Sequence, residues 1–477
     1  MKKFGLYVVC CLIGFIGFRL ADAQNIVHFY VDKPVGQTPA LIINGNPATI
    51  SGGGYVQALT LNTFHPTKIQ MGTNSQQVQL KRLSRDYLIP MKIHYTDRTI
   101  DLFLKTVPDT LPTYEIEGTI PQNKGKYVMT SFHTLSLNRP SYGVIMDTVG
   151  NLLYYQGTYN PKTTLFHPQK FNVSGKTFYT YHIQTEPSLT GAWILGDNVV
   201  MNDKFDVIDR VRILPTDRHP AMAADQHDFV ILGNNHYLVI SYWNEPHQLP
   251  DGTQKTLVSA VVQEQKDGQV IFDWVSSDYP ITFDMCIEKC PHSSFAIADY
   301  AHINTVSVDP KDNNLILSLA SPYAVVKLNR QSGDIMWILS GEKDNFKVSP
   351  EYRLTRQHDA YMKNGELVVF DNAFSSLKAG EKEQHDSFFK QATARMLRFK
   401  LDEKNKKVLG VSATPLNETA PYMGSAQKKG DDFVFFGCGS STECAAKAVR
   451  VDGTPVWTMK VEQPYTTYRA YLMDKPN

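Results

Sequence analysis

Three histidines open similar stretches of this sequence: Gln226-His227-Asp228, Ala301-His302-Ile303-Asn304 and Gln357-His358-Asp359. A neutral imidazole can serve as a nucleophile, as a general base, or as a hydrogen-bond donor to an anion. Taken singly, a histidine in a β-protein is most often a satisfied structural residue. Three at equivalent points of repeated units meet if the units pack in a ring, and burial with mutual repulsion then keeps at least one uncharged near pH 7. Metal binding is the rival use, because imidazole also ligates zinc and copper. Its carboxylate would come from Asp228 or Asp359, yet in a strand each points to the face opposite its histidine. The expectation is histidine chemistry with no metal and no cofactor.

The elements that must position these rings recur along the chain. Each unit has an apolar strand, a turn with Asp, Asn or Gly, two further strands, and a Gly turn into a strand that often ends in Trp. The clearest copy runs from His302-Ile303-Asn304-Thr305-Val306 through Asn314-Leu315-Ile316-Leu317 and Ala324-Val325-Val326-Lys327-Leu328 to Gly333-Asp334-Ile335-Met336-Trp337. Others start at His227 and His358 and near Gly424, two of them closing on Trp274 and Trp457, and the hairpin Gly143 to Tyr155 reads as a degenerate first copy. Four-stranded units recurring every 55 to 75 residues or so have the spacing of propeller blades with loop insertions. With the stretch between Leu165 and Arg212 included, the count is about six blades over 122–477. The competing architecture is a run of unrelated β-sandwiches. In a ring the blade openings converge on one funnel. The region 24–121, rich in Thr, Val and Pro, reads as a small β-sandwich.

Composition narrows the setting. Lys2 and Lys3 precede an apolar run from Phe4 to Phe18, and Ala21-Asp22-Ala23 supplies a small-x-small cleavage pattern. That run of about 15 residues is short for a membrane span and has the flanks of a secretory signal, so 1–23 reads as a leader and the protein as secreted or periplasmic. Lys and Arg total 48 against 47 acidic residues, with no basic block, which excludes a nucleic-acid surface. Cys10 and Cys11 leave with the leader. Cys286 with Cys290, and Cys438 with Cys444, read as two loop-stapling disulfides, with a zinc site as the alternative. Asn172-Val173-Ser174 and Asn417-Glu418-Thr419 fit the glycosylation sequon.

The run Asp299-Tyr300-Ala301-His302-Ile303-Asn304-Thr305-Val306-Ser307-Val308-Asp309-Pro310, with Gly333-Asp334-Ile335-Met336-Trp337, resembles the central blade of the bacterial arylsulfotransferases. Gln357-His358-Asp359-Ala360 resembles that family's motif around its catalytic histidine, Gln226-His227-Asp228 the preceding histidine motif, and Gly424-Ser425-Ala426-Gln427 the opening of the last blade. The match spans about Asn138 to Tyr471. The resemblance implies a PAPS-independent enzyme that moves a sulfuryl group from a phenolic sulfate ester to an acceptor phenol through a transient sulfohistidine. It implies His358 as the nucleophile, with His227, His302 and Asn304 holding the sulfuryl oxygens and protonating the leaving phenolate. One position departs from the pattern: Ala320 stands where the family carries an arginine, and losing such a donor can cost about 10²–10³ in rate. Arg356, on the same strand face as His358, is the candidate substitute for binding the substrate anion, and Arg469 reads as structural.

Two other readings stay open. A propeller that keeps the fold but only binds a ligand or glycan in its funnel follows from the missing arginine. A quinoprotein-like dehydrogenase shares the Gly-x-x-x-Trp blade closure, but its cation site and adjacent cysteines are not evident in the mature sequence. A homodimer is compatible with the sequence.

Overall fold

A computed structural model describes residues 25–474 except 32–40, 44, 48, 52–53, 60–66, 72–73, 79–88, 95–98, 109–110, 122, 135–138, 151, 159–163, 188–192, 249–251, 292–296, 378–381 and 383–384. The expected leader, 1–23, lies outside the described residues. The chain divides into two compact units, Met1–Thr49 with Tyr55–Asp109, and Ile50–Gly54 with Thr110–Asn477. The first holds a five-stranded sheet containing Asn25–Val31 and a four-stranded sheet in which Leu41–Ile43 pairs antiparallel with Thr67–Met71.

The second unit is a propeller of six sheets, antiparallel but for Ile297–Ala298, which pairs parallel with Gln254–Lys266. Blade I comprises Tyr127–Phe132, Tyr142–Asp147 and Leu152–Gly157, with Ala470–Met473 from the end of the chain. Blade II begins with Leu165–Val173, blade III with Phe229–Gly233, blade IV with Ile303–Val308, blade V with His358–Lys363 and blade VI with Ser425–Lys428. The ring closes twice. Ala470–Met473 pairs with Tyr127–Phe132 at the inside, and Tyr114–Gly118 pairs with Pro455–Val461 at the outside of blade VI. Tyr114–Gly118, which the expected boundary at 121 assigns to the N-terminal unit, is therefore a propeller strand.

The middle strands explain their own composition. Leu315–Leu319 and Ala324–Leu328 are buried at every position because blades III and V cover both faces, so they read as apolar runs interrupted only by Ser318 and Lys327. Two of the blade-closing tryptophans bond to the next blade. Trp337 of blade IV donates its indole N–H to Glu403 of blade V at 2.9 Å, and Trp457 of blade VI donates to the Thr148 carbonyl of blade I at 2.7 Å. Lys327 reinforces the first joint: its ammonium lies 2.6 Å from Asp309, 2.7 Å from Asp312 and 2.7 Å from Glu403. That carboxylate trio has the spacing of a metal site, and a lysine fills it. Cys286–Cys290 and Cys438–Cys444 are the two disulfides, at Cα separations of 5.6 and 6.0 Å. Among the described residues no helix is long and apolar enough to cross a membrane.

Candidate active site

Each blade begins at the channel, so the residue that opens an inner strand faces the ring centre. His302 directly precedes Ile303–Val308, His358 is the first residue of its strand, and His227 lies two positions before Phe229–Gly233. All three are buried. The backbone turns sharply to aim them: φ is 41° at His302, 53° at Arg356 and 52° at Asp359. Non-glycine residues in this left-handed region cost about 1–3 kcal/mol each, a strain that clusters at working sites.

The rings gather. His227 and His302 have centroids 5.1 Å apart, edge to face, with Tyr242 5.9 Å from His302 and Tyr468 5.8 Å from His227. Burial, reinforced by the charges of His227, Arg469 and His302, pushes the His358 imidazole well below its ordinary range. Its neutral form is the one present at pH 7.

Hydrogen bonds set the tautomers. His227 Nδ1 donates to Asp225 at 2.5 Å and His302 Nδ1 donates to Asp299 at 2.6 Å, so each presents Nε2 to the site. Burial alone raises Asp299, but the adjacent His302, with Lys289 and Trp193, brings it down to about 2. Burial outweighs Asp299 at His302, whose range is lowered. In blade V the partner is neutral: His358 Nδ1 lies 2.8 Å from Asn372 Oδ1 and 2.9 Å from the Arg356 carbonyl. The Nε2 lone pair of His358 accepts the Met423 backbone N–H at 3.2 Å.

The remaining sequence candidates have different surroundings. The Asn304 amide donates one N–H to the Gln357 carbonyl at 2.7 Å and its oxygen accepts from Thr305, so it ties blade IV to the residue before His358. Arg356 directs its guanidinium to Ser376 and, at 3.8 Å, to Glu288, rather than to the imidazoles. Ala320 is buried beside the site, its N–H donating to the His302 carbonyl at 2.9 Å. Asp228 and Asp359 turn away from their histidines, each 3.5 Å from Arg469.

Arg469 is the buried hub of the ring. Besides those two carboxylates it donates to the Asn304 carbonyl at 2.7 Å and to Thr305 at 3.1 Å, so it touches residues within three positions of each of the three histidines. A cavity of about 790 Å³ is lined by Asp228, Thr305, Asp359, Arg469, Tyr361 and Tyr471 among others, but by none of His227, His302 and His358. The ion-paired arginine thus stands between that cavity and the imidazoles.

Sequence reasoning passed over Asp225, Asp299, Asn372 and Tyr468. The signal for the first two was present: an aspartate stands two residues before His227 and three before His302. His167, 2.8 Å from the Tyr471 hydroxyl and held well below its ordinary range by burial and by Arg469, opens blade II as the other histidines open theirs. Its motif, Phe166-His167-Pro168, lacks their flanking residues.

The family model for Arylsulfotransferase (ASST) matches residues 117–469. The chain belongs to the arylsulfotransferase family. Membership supports a PAPS-independent aryl sulfotransferase in general, with aryl sulfates and phenols as its substrate class. No curated protein matches the sequence. Among solved structures, a protein of unknown function from Bacteroides caccae is similar over 74% of this chain and 100% of its own, at 9% identity and a TM-score of 0.37. Virginiamycin B lyase from Staphylococcus aureus is similar over 73% and 99%, at 9% identity and a TM-score of 0.28. A DUF4623 family protein from Bacteroides eggerthii is similar over 93% and 99%, at 10% identity and 0.27. At such scores these three carry no argument about function.

Proposed function

We propose that this protein is an exported sulfotransferase that moves a sulfuryl group from a phenolic sulfate ester to a phenolic acceptor through a sulfohistidine at His358. The observation that supports this reading most is the convergence of three blade-opening histidines, one held neutral by burial, in a chain of this family. The Nε2 of His358 attacks sulfur while the S–O bond to the aryl group breaks. Asn372 keeps the proton on Nδ1, which leaves the lone pair on the attacking atom. The Met423 N–H that occupies this lone pair is released as the N–S bond forms and turns to a sulfuryl oxygen.

His227 and His302, each backed by an aspartate, handle the proton. One of them, as imidazolium, protonates the departing phenolate. It recovers the proton from the incoming phenol, whose oxygen then takes the sulfuryl group from His358. Asn304 acts by positioning the His358 strand. Export is consistent with the leader expected from the sequence and with two disulfides, which persist in oxidising compartments.

Incubation with 4-nitrophenyl sulfate and phenol tests the reading. Nitrophenolate release beyond one equivalent should require phenol, His358→Ala should abolish release, and donor alone should leave a roughly 80 Da adduct on the nucleophile. Absence of both turnover and adduct across pH 5–9 would refute it and favour a ligand-binding propeller.

A further inference from the structure

The inner strands run from the imidazoles to the opposite mouth of the ring, so their last residues gather there. Lys363 ends the inner strand of blade V, Lys429 follows that of blade VI, and Asp474 follows the strand that closes blade I. All three line the cavity of about 790 Å³, whose floor is Arg469 with its partners Asp228 and Asp359. The cavity is therefore the far part of the channel, on the other side of the arginine from the histidines. Its volume is that of a small-molecule pocket.

Positive charge at this mouth is in excess. The Lys363 ammonium donates to the Lys428 carbonyl at 3.1 Å, which sets it against the peptide that leads into Lys429. An ammonium has three N–H groups, so two remain for a ligand. Lys428 is paired with Asp431 at 2.8 Å, but Lys363 and Lys429 form no ion pair among the described residues. Burial lowers Lys429 against the pull of Asp474, with the Lys363 ammonium lowering it further, and burial with Lys428 lowers Lys363. Lys170 lines the same cavity, its ammonium 5.9 Å from the Tyr179 ring. Asp474 is the one carboxylate at the mouth, and it is exposed.

The walls between floor and mouth are largely apolar, with Phe171, Val306, Tyr361, Tyr471 and Met473 among them. The hydroxyls of Tyr361 and Tyr471 are engaged by the Ala426 carbonyl and by His167. A bare inorganic ion would meet the lysines and leave this wall in water, whereas an anion with an aromatic body would cover it. We propose that the far part of the channel binds an aromatic acid, its carboxylate held between Lys363 and Lys429 and its rings against the apolar wall. The site is separate from the imidazoles and holds whichever chemistry they perform.

The full-length protein and 2-naphthoate test it, by calorimetry and by the fluorescence of the ligand. One equivalent should bind, more weakly as salt is added. Lys363→Ala/Lys429→Ala should raise Kd about tenfold or more, and Lys363→Arg/Lys429→Arg less than about threefold. His358→Ala should bind 2-naphthoate as the native protein does, and inorganic sulfate should bind at least about tenfold more weakly. Because removing two like charges costs the fold nothing, the double alanine variant should keep the native Tm. No saturable binding up to about 10 mM, or an unchanged Kd in the double alanine variant, would overturn the inference. Binding lost in His358→Ala and kept in the double alanine variant would place the acid at the imidazoles and overturn it equally, as would sulfate binding as tightly as 2-naphthoate.

Discussion

Replacing Arg469 by methionine removes the cation between Asp228 and Asp359 while keeping an unbranched, adaptable side chain in its place. The guanidinium is 3.5 Å from each carboxylate and almost wholly buried. Stranding buried partners in this way costs about 3–5 kcal/mol. Unfolding entropy of about 2 cal/mol/K per residue gives a unit of this size roughly 0.75 kcal/mol per degree, so Tm should fall about 4–7 °C near pH 8. The pH dependence carries the argument. Burial raises Asp359 to about 6 even with the arginine lowering it, and burial raises Asp228 as well. A carboxyl raised in the folded state contributes stability that is fully present below its unfolded value and lost as pH rises through about 6, here about 3 kcal/mol to order of magnitude. Without Arg469 that window moves upward, so both groups are protonated at pH 5 and the penalty there shrinks to half or less. Thermal and urea unfolding between pH 5 and 8 measure this, and adding Asp359→Asn to the variant should recover stability at pH 8. An equal loss at pH 5 and pH 8 would show that Arg469 contributes packing rather than charge compensation, and the reasoning would fail.

Further outcomes follow from other contacts. Lys327→Met leaves Asp309, Asp312 and Glu403 facing one another at the joint of blades IV and V, so stability should drop by about 3–5 kcal/mol, and millimolar calcium should restore part of the Tm by occupying the vacated trio. Asn372→Ala leaves the Arg356 carbonyl as the remaining acceptor for the His358 Nδ1 proton, and kcat for aryl sulfate transfer should fall about 10-fold with KM little changed. Tyr468→Phe removes the hydroxyl that donates to the His227 carbonyl at 3.1 Å, and should cost about 1 kcal/mol in urea unfolding. For the native protein, kcat/KM should not fall until pH drops into the lowered His358 range, since protonation of that ring removes its nucleophile.

Much of this molecule is written locally. Apolar runs separated by Asp, Asn and Gly turns specify strands and hairpins, because side-chain alternation and turn chemistry act over a few residues. Their recurrence with a closing tryptophan specifies blades, since one blade cannot bury both faces alone. The histidines at His227, His302 and His358 were legible because they recur at the same place in that repeat. His167 was not, because a Phe-His-Pro sequence shares no neighbour with the others.

What the chain's order alone determined is therefore the fold class, the blade rhythm and the sites where imidazoles enter the ring. Only the closed tertiary structure decided which groups surround them. Ala470–Met473 had to return to blade I before Arg469 could meet Asp228 and Asp359, each more than a hundred residues away. Asn304 came to hold the Gln357 carbonyl of the next blade, and the Met423 N–H came to face the His358 imidazole. Charges and hydrogen-bond donors act over a few ångströms of space, and the distance between two residues along the sequence does not reveal that separation.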